Sequence, residues 1–189
     1  MMNNHGEIKG LFEFLKASPT AFHAVEALCG LLKEQGFLPL QECKPWEVIP
    51  GGKYYVTRNR SSVIAFTLPA GKPDSFHIVA SHSDSPTFKI KENAELTVRD
   101  KYVQLNTERY GGMIFSSWFD RPLSVAGRVL YKDENGLHTR LVKIDRDLVM
   151  IPNVAIHMNR EVNNGYKYNA QVDLMPLYCL LYTSPSPRD

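Results

Sequence analysis

Hydrophobic spacing changes its period once along this 189-residue chain, and that change limits the possible folds more than any other feature. Near the start, Ile8, Leu11, Phe12 and Leu15 recur on one helical face and predict a short first helix. Ser18-Pro19-Thr20 offers two capping side chains and a proline suited to an early helical position. Ala21, Val25, Leu28 and Leu32 continue at helical spacing, and Gly36 is placed to end a second helix. Pro45, Pro50, Gly51 and Gly52 then break the pattern, so Pro39 to Lys53 reads as loop. Strands are expected at Tyr54–Thr57 and Val63–Leu68, around the polar turn Arg58-Asn59-Arg60-Ser61-Ser62. A third, Phe76 to Ser81, has the unbroken apolar run of a buried central strand. Beyond Pro86 short strand candidates follow one another: Thr87–Lys91, Glu95–Val98, Tyr102–Leu105, Val125–Tyr131 and Leu137–Ile144. Between the last two, Asp133-Glu134-Asn135-Gly136 is a strong hairpin signal. The expected architecture is an α/β layer followed by a mostly β module, with no internal repeat.

The composition narrows the class of protein. A hydrophobic fraction of 43% and a charged fraction of 22% describe an ordinary globular chain, long enough for one substantial domain or two small ones. A formal charge of +2, with Lys and Arg scattered among acids, points to no nucleic acid and no membrane surface. No apolar run approaches the length of a membrane span. Met1-Met2-Asn3-Asn4-His5-Gly6-Glu7 lacks the regions of a signal peptide. Cys29 and Cys43 have no paired metal-ligand spacing and read as free thiols, which suits the cytoplasm.

The last eleven residues, Cys179 to Asp189, do not continue the preceding pattern. They read as the translation of a transposon-end adapter used to build sequencing libraries, with the gene cut near Tyr178. A Ser/Pro-rich disordered tail is the competing reading of their composition.

Chemistry concentrates at Ile78-Val79-Ala80-Ser81-His82-Ser83-Asp84-Ser85-Pro86. Strand geometry sends alternate side chains to one face, so His82 and Asp84 are expected to point the same way at a strand's end. An imidazole there can bind zinc while the carboxylate fixes its tautomer and orientation. Taken alone, the spacing is a weak signal, and two polar residues decorating a strand-to-loop corner are its commoner meaning.

Five segments, read together, go further. They are Phe14–Val25 around Ser18-Pro19-Thr20-Ala21-Phe22-His23, Pro50–Asn59 with its Pro50-Gly51-Gly52-Lys53-Tyr54-Tyr55, and Ser81–Pro86. To these are added Tyr110–Val129, which contains Trp118-Phe119-Asp120-Arg121-Pro122-Leu123-Ser124, and Ile151–Arg160, which contains Val154-Ala155-Ile156-His157-Met158-Asn159. In order and spacing they resemble the M18 family of metalloaminopeptidases (aspartyl aminopeptidase-like), from about Ile8 to Leu177. The resemblance implies a zinc-dependent exopeptidase that removes the N-terminal residue from peptides, acidic in some members and neutral in others. It implies a partial α/β zinc-peptidase catalytic domain at 1–90 and part of a β-rich dimerisation domain at 91–178. Dimers would assemble into a dodecamer.

By the family's motif His82 is a zinc ligand, and Asp84 is the catalytic carboxylate that orients and polarises it. His157 matches the substrate-binding histidine that one subunit contributes to its neighbour's active site. The complete family site holds two zinc ions, whose shared water becomes a hydroxide near neutral pH. Cobalt or manganese also suits such ligands. The other ligands and the base lie in later sequence, so this chain is expected to carry one ligand and to be inactive alone.

Other readings stay open at single residues. His157, between Ile156 and Met158 on an expected strand, also fits a solvent-facing or core hydrogen-bonding role. His77 and His23 read as structural, and Tyr110, Trp118 and Phe119 as packing aromatics. Gly111-Gly112 suits a tight turn, and Asp120-Arg121 an internal ion pair. The alternative function is a non-catalytic oligomerisation or binding module derived from the same family.

Overall fold

The computed structural model describes residues 4–180, with side chains from Gly6 to Tyr178. Residues 181–189 of the adapter-like segment lie outside the described residues. The packing divides the chain into two compact units: Met1–Ser85 with Ala126–Lys143, and Pro86–Val125 with Ile144–Asp189.

The first unit opens with helices α1 (Asn4–Ala17) and α2 (Ala21–Glu34). Thr20 caps α2, its hydroxyl accepting from the His23 amide and lying 2.7 Å from the His23 Nδ1. The stop is equally well defined. Gly36 sits at φ +80°, its N–H reaches the Lys33 carbonyl, and the Phe37 N–H reaches Leu32. These are the paired bonds of a Schellman motif, closed by a left-handed glycine. Strands β1 (Leu38–Leu40), β2 (Lys53–Arg58) and β3 (Ser62–Thr67) form a sheet in that order. β1 runs parallel to β2, and β3 antiparallel. The central β2 buries Tyr54, Tyr55 and Val56 in succession, while α2 buries Ala24 and Val25 and packs on β2 and β3.

Two strand expectations need correction here. Pro39 and Leu40 belong to β1 rather than to a loop. β1 is an edge strand, where the missing proline N–H is tolerated. Phe76 to Ser81 forms no strand, and Phe76, Ile78 and Val79 are 86%, 84% and 100% exposed. A strand exists through its pairing, and among the described residues none pairs with this run. His77 is therefore exposed and not a core histidine.

The hairpin of β6 (Ala126–Asp133) and β7 (Gly136–Lys143) returns to this unit. Its turn is the expected one: Asp133 pairs with Gly136, and the Asp133 carboxylate accepts the Asn135 N–H at 2.7 Å. Arg128 fastens the hairpin. Its guanidinium donates to the Asn59 carbonyl and side-chain oxygen, at 2.8 and 2.9 Å, and lies 4.0 Å from the Phe22 ring.

The second unit is built on a sheet ordered β4-β5-β8, from β4 (Thr87–Val98), β5 (Tyr102–Tyr110) and β8 (Leu177–Leu180). β4 unites two expected strands across a register shift between Ile90 and Glu95. Cys179 pairs with Val103 and Leu180 with Tyr102, so the first two residues of the adapter-like segment continue β8. Phe119, Ile151 and Leu174 form the core, flanked by Phe88, Phe115, Trp118 and Tyr168. Trp118 meets Phe88 edge-on at 5.0 Å, so these aromatics pack as expected. Gly111 turns at φ +78° against Pro86, 3.5 Å from where a Cβ would sit, which bears out the tight turn.

Burial pushes the His23 imidazole below its ordinary value, against a pull from Glu26 and with a push from Lys143. The unfolded chain then binds the proton more tightly, so this contribution to stability is present above about pH 6.5 and is lost as pH falls through the folded value. Acidification from about pH 7.5 to about pH 5.5 should lower the unfolding midpoint, with a smaller drop in His23→Gln. Ring-proton titration should place the His23 midpoint below that of a free imidazole; a higher midpoint would contradict the sign.

Candidate functional site

His82 and Asp84 come together, though not by strand alternation. The 81–86 segment is irregular and is tied to the β2–β3 turn by the Ser83 hydroxyl, which donates to the Ser61 carbonyl at 3.0 Å. The His82 Nδ1 lies 2.8 Å from the Asp84 backbone oxygen and 3.2 Å from its carboxylate Oδ1. Two acceptors at Nδ1 place the proton there and leave Nε2 with the lone pair, the arrangement that metal-binding histidines use. The side chains of His82 and Asp84 are 82% and 43% exposed, so water screens the pair and it adds little to stability.

One imidazole with its orienting acid fits a single position in a metal's coordination sphere. A zinc site needs three or four protein ligands. Among the described residues no group of three or more His, Cys, Asp or Glu is placed to hold a metal ion.

His157 belongs to the second unit. It lies in the exposed turn Ile156–Met158, where the Met158 N–H reaches the Ala155 carbonyl at 2.8 Å, and not on the expected strand. Asn153 and Pro152 interrupt the short bridge at Ile151, so the chain leaves the sheet before reaching His157. Asp120 and Arg121 are not an ion pair. The Asp120 carboxylate accepts the Asn153 N–H at 2.9 Å, and Arg121 donates to the Ser117 carbonyl at 3.2 Å. The dipeptide stood out in the sequence, but nothing local named Asn153 as its partner.

The family model described as Aminopeptidase I zinc metalloprotease (M18) matches residues 14–188, and the chain belongs to that family. A probable M18 family aminopeptidase 2 from Clostridium novyi (strain NT) is 49% identical over 175 residues, which cover 90% of this chain and 40% of that protein. The solved structure of Chaetomium thermophilum mApe1 is similar at 33% identity and a TM-score of 0.82, over 91% of this chain and 40% of that one. The S. cerevisiae mApe1 dodecamer is similar at 25% identity and a TM-score of 0.72, over 95% and 38%. The chain thus spans about 40% of the length of the curated relative. No described helix is long and apolar enough to cross a membrane.

Proposed function

We propose that the protein to which this chain belongs is a zinc-dependent aminopeptidase that hydrolyses the N-terminal residue of peptides, with Asp and Glu among the candidate residues. The observation that carries the reading is the His82 Nδ1 held by Asp84, in a chain of the M18 family. His82 would hold an ion through Nε2, and Asp84 would keep the ring oriented and basic. Bound zinc, two ions in the complete site, would supply a hydroxide near neutral pH and polarise the scissile carbonyl. His157 would bind substrate in a neighbouring subunit and donate to the oxygen on which charge develops. The general base and the other ligands would come from outside this chain, so the chain alone would be inactive.

Residues 1–90 would supply part of the catalytic domain and residues 91–178 part of the dimerisation domain, whose Ala126–Lys143 hairpin packs in the same compact unit as Met1–Ser85. Likeness to the S. cerevisiae mApe1 dodecamer supports a homo-oligomer, with dimers assembling into a dodecamer. A cytoplasmic setting agrees with free Cys29 and Cys43.

Asp84→Asn in the full-length protein tests the reading. Removing an outer-shell carboxylate weakens metal binding roughly 10- to 100-fold. Here the Asp84 backbone oxygen, the nearer acceptor, remains, so a loss near the lower end, about tenfold, is expected. Zinc affinity measured against a competing chelator reads it out. Unchanged affinity together with unchanged turnover would remove Asp84 from the metal site, and a full-length wild-type protein with neither zinc nor turnover would leave the non-catalytic oligomerisation module as the better reading.

A further inference from the structure

We propose that Asp120 is a positioning residue whose carboxylate holds the base of the 153–158 loop and so sets where His157 is presented. The inference rests on the reading of His157 as a substrate-binding group.

Asp120 adopts φ +56°, a left-handed conformation that costs any side chain and that Asp and Asn tolerate best. In that conformation its two polar groups face one segment. The Asp120 N–H donates to the Ile151 carbonyl at 2.9 Å, and its Oδ1 accepts the Asn153 N–H at 2.9 Å. The two bonds straddle Pro152, which has no N–H of its own to offer. The Asn153 side chain then accepts the Val154 N–H at 2.9 Å, carrying the same pattern one residue further.

The clasp stands on the core of its unit. Phe119 and Ile151, the neighbours of its two ends, are 9% and 0% exposed and pair through a bridge. Beyond Asn153 the character changes at once. Residues 154–158 are exposed, and the bonds from Met158 to Ala155 and from Asn159 to Ile156 are internal to the loop. His157 lies four residues past the clasp, so its placement depends on how firmly residue 153 is held. A carboxylate acceptor is roughly twice as strong as a neutral one, which suits a single point of attachment.

A purely structural Asp120 would affect unfolding and leave catalysis alone, so the test must separate the two. In the full-length protein, Asp120→Gly accommodates the left-handed backbone, removes the acceptor and adds backbone freedom, whereas Asp120→Asn keeps an acceptor oxygen at the same place. Asp120→Gly should lower kcat for an aminoacyl p-nitroanilide about tenfold, and Asp120→Asn should stay within about twofold of wild type. In a His157→Ala background Asp120→Gly should cost nothing further, because residues acting as one unit are not additive. Amide exchange at residues 153–158 should accelerate at least roughly tenfold in Asp120→Gly.

Unchanged exchange in Asp120→Gly would overturn the proposal, and so would a kcat loss that persists in full beside His157→Ala. If His157→Ala leaves turnover unchanged while Asp120→Gly still loosens the loop, the reading of His157 fails and the hold of Asp120 on the loop stands. Asp120→Ser, which withdraws the acceptor by one atom, carries the same comparison if the glycine variant does not fold.

Discussion

Replacing His82 by alanine in the full-length protein is expected to abolish tight zinc binding at one position and to lower kcat/KM by more than roughly a hundredfold. The floor follows from the hundredfold that loss of a mere supporting partner can cost. The side chain is 82% exposed and its hydrogen bonds are to Asp84, so removing it opens no cavity. The unfolding midpoint of the metal-free protein should therefore match wild type, which makes the experiment clean. A fall in activity could otherwise be blamed on misfolding. Metal content by atomic absorption and turnover on a peptide substrate are the two readouts. Full zinc occupancy and full turnover in His82→Ala would remove the physical basis for the proposed chemistry.

His157→Ala should lower kcat by roughly 10²- to 10³-fold, the cost of losing one donor to a developing oxyanion. The more telling result comes from mixing. If each subunit lends His157 to its neighbour, a dimer of one His82→Ala and one His157→Ala subunit contains one site with both histidines intact. Random reassortment of two inactive variants in a two-fold dimer would then restore about a quarter of wild-type activity. Exposure of His157, on a turn flanked by exposed Val154, Ile156 and Met158, agrees with a group that works outside its own unit. No recovery after verified subunit exchange would mean that His157 acts within its own chain or not at all.

Features decided by near neighbours were legible in the sequence. Thr20 and Gly36 bound α2 because capping uses groups within four residues, and Asp133 to Gly136 turns because its own side chain supplies the bond. Features decided by distant partners were not. The Phe76–Ser81 run has every local mark of a strand, but pairing is a property of two segments. Pro39 reads as the start of a loop until β2 lies beside it. At the candidate site, the identities of His82, Asp84 and His157 came from motif likeness, and their settings did not. The first pair is held by a loop bond to Ser61, and His157 sits on a turn whose attachment runs through Asp120, 37 positions back in the numbering.

The bare run at Phe76, Ile78 and Val79 has a practical consequence for anyone handling this polypeptide. β-branched and aromatic side chains in water, with no charge among residues 76–81, form the kind of window that seeds intermolecular stacking. Concentrated solutions of this polypeptide would associate through the run, and a dye that brightens on apolar surface would report its exposure.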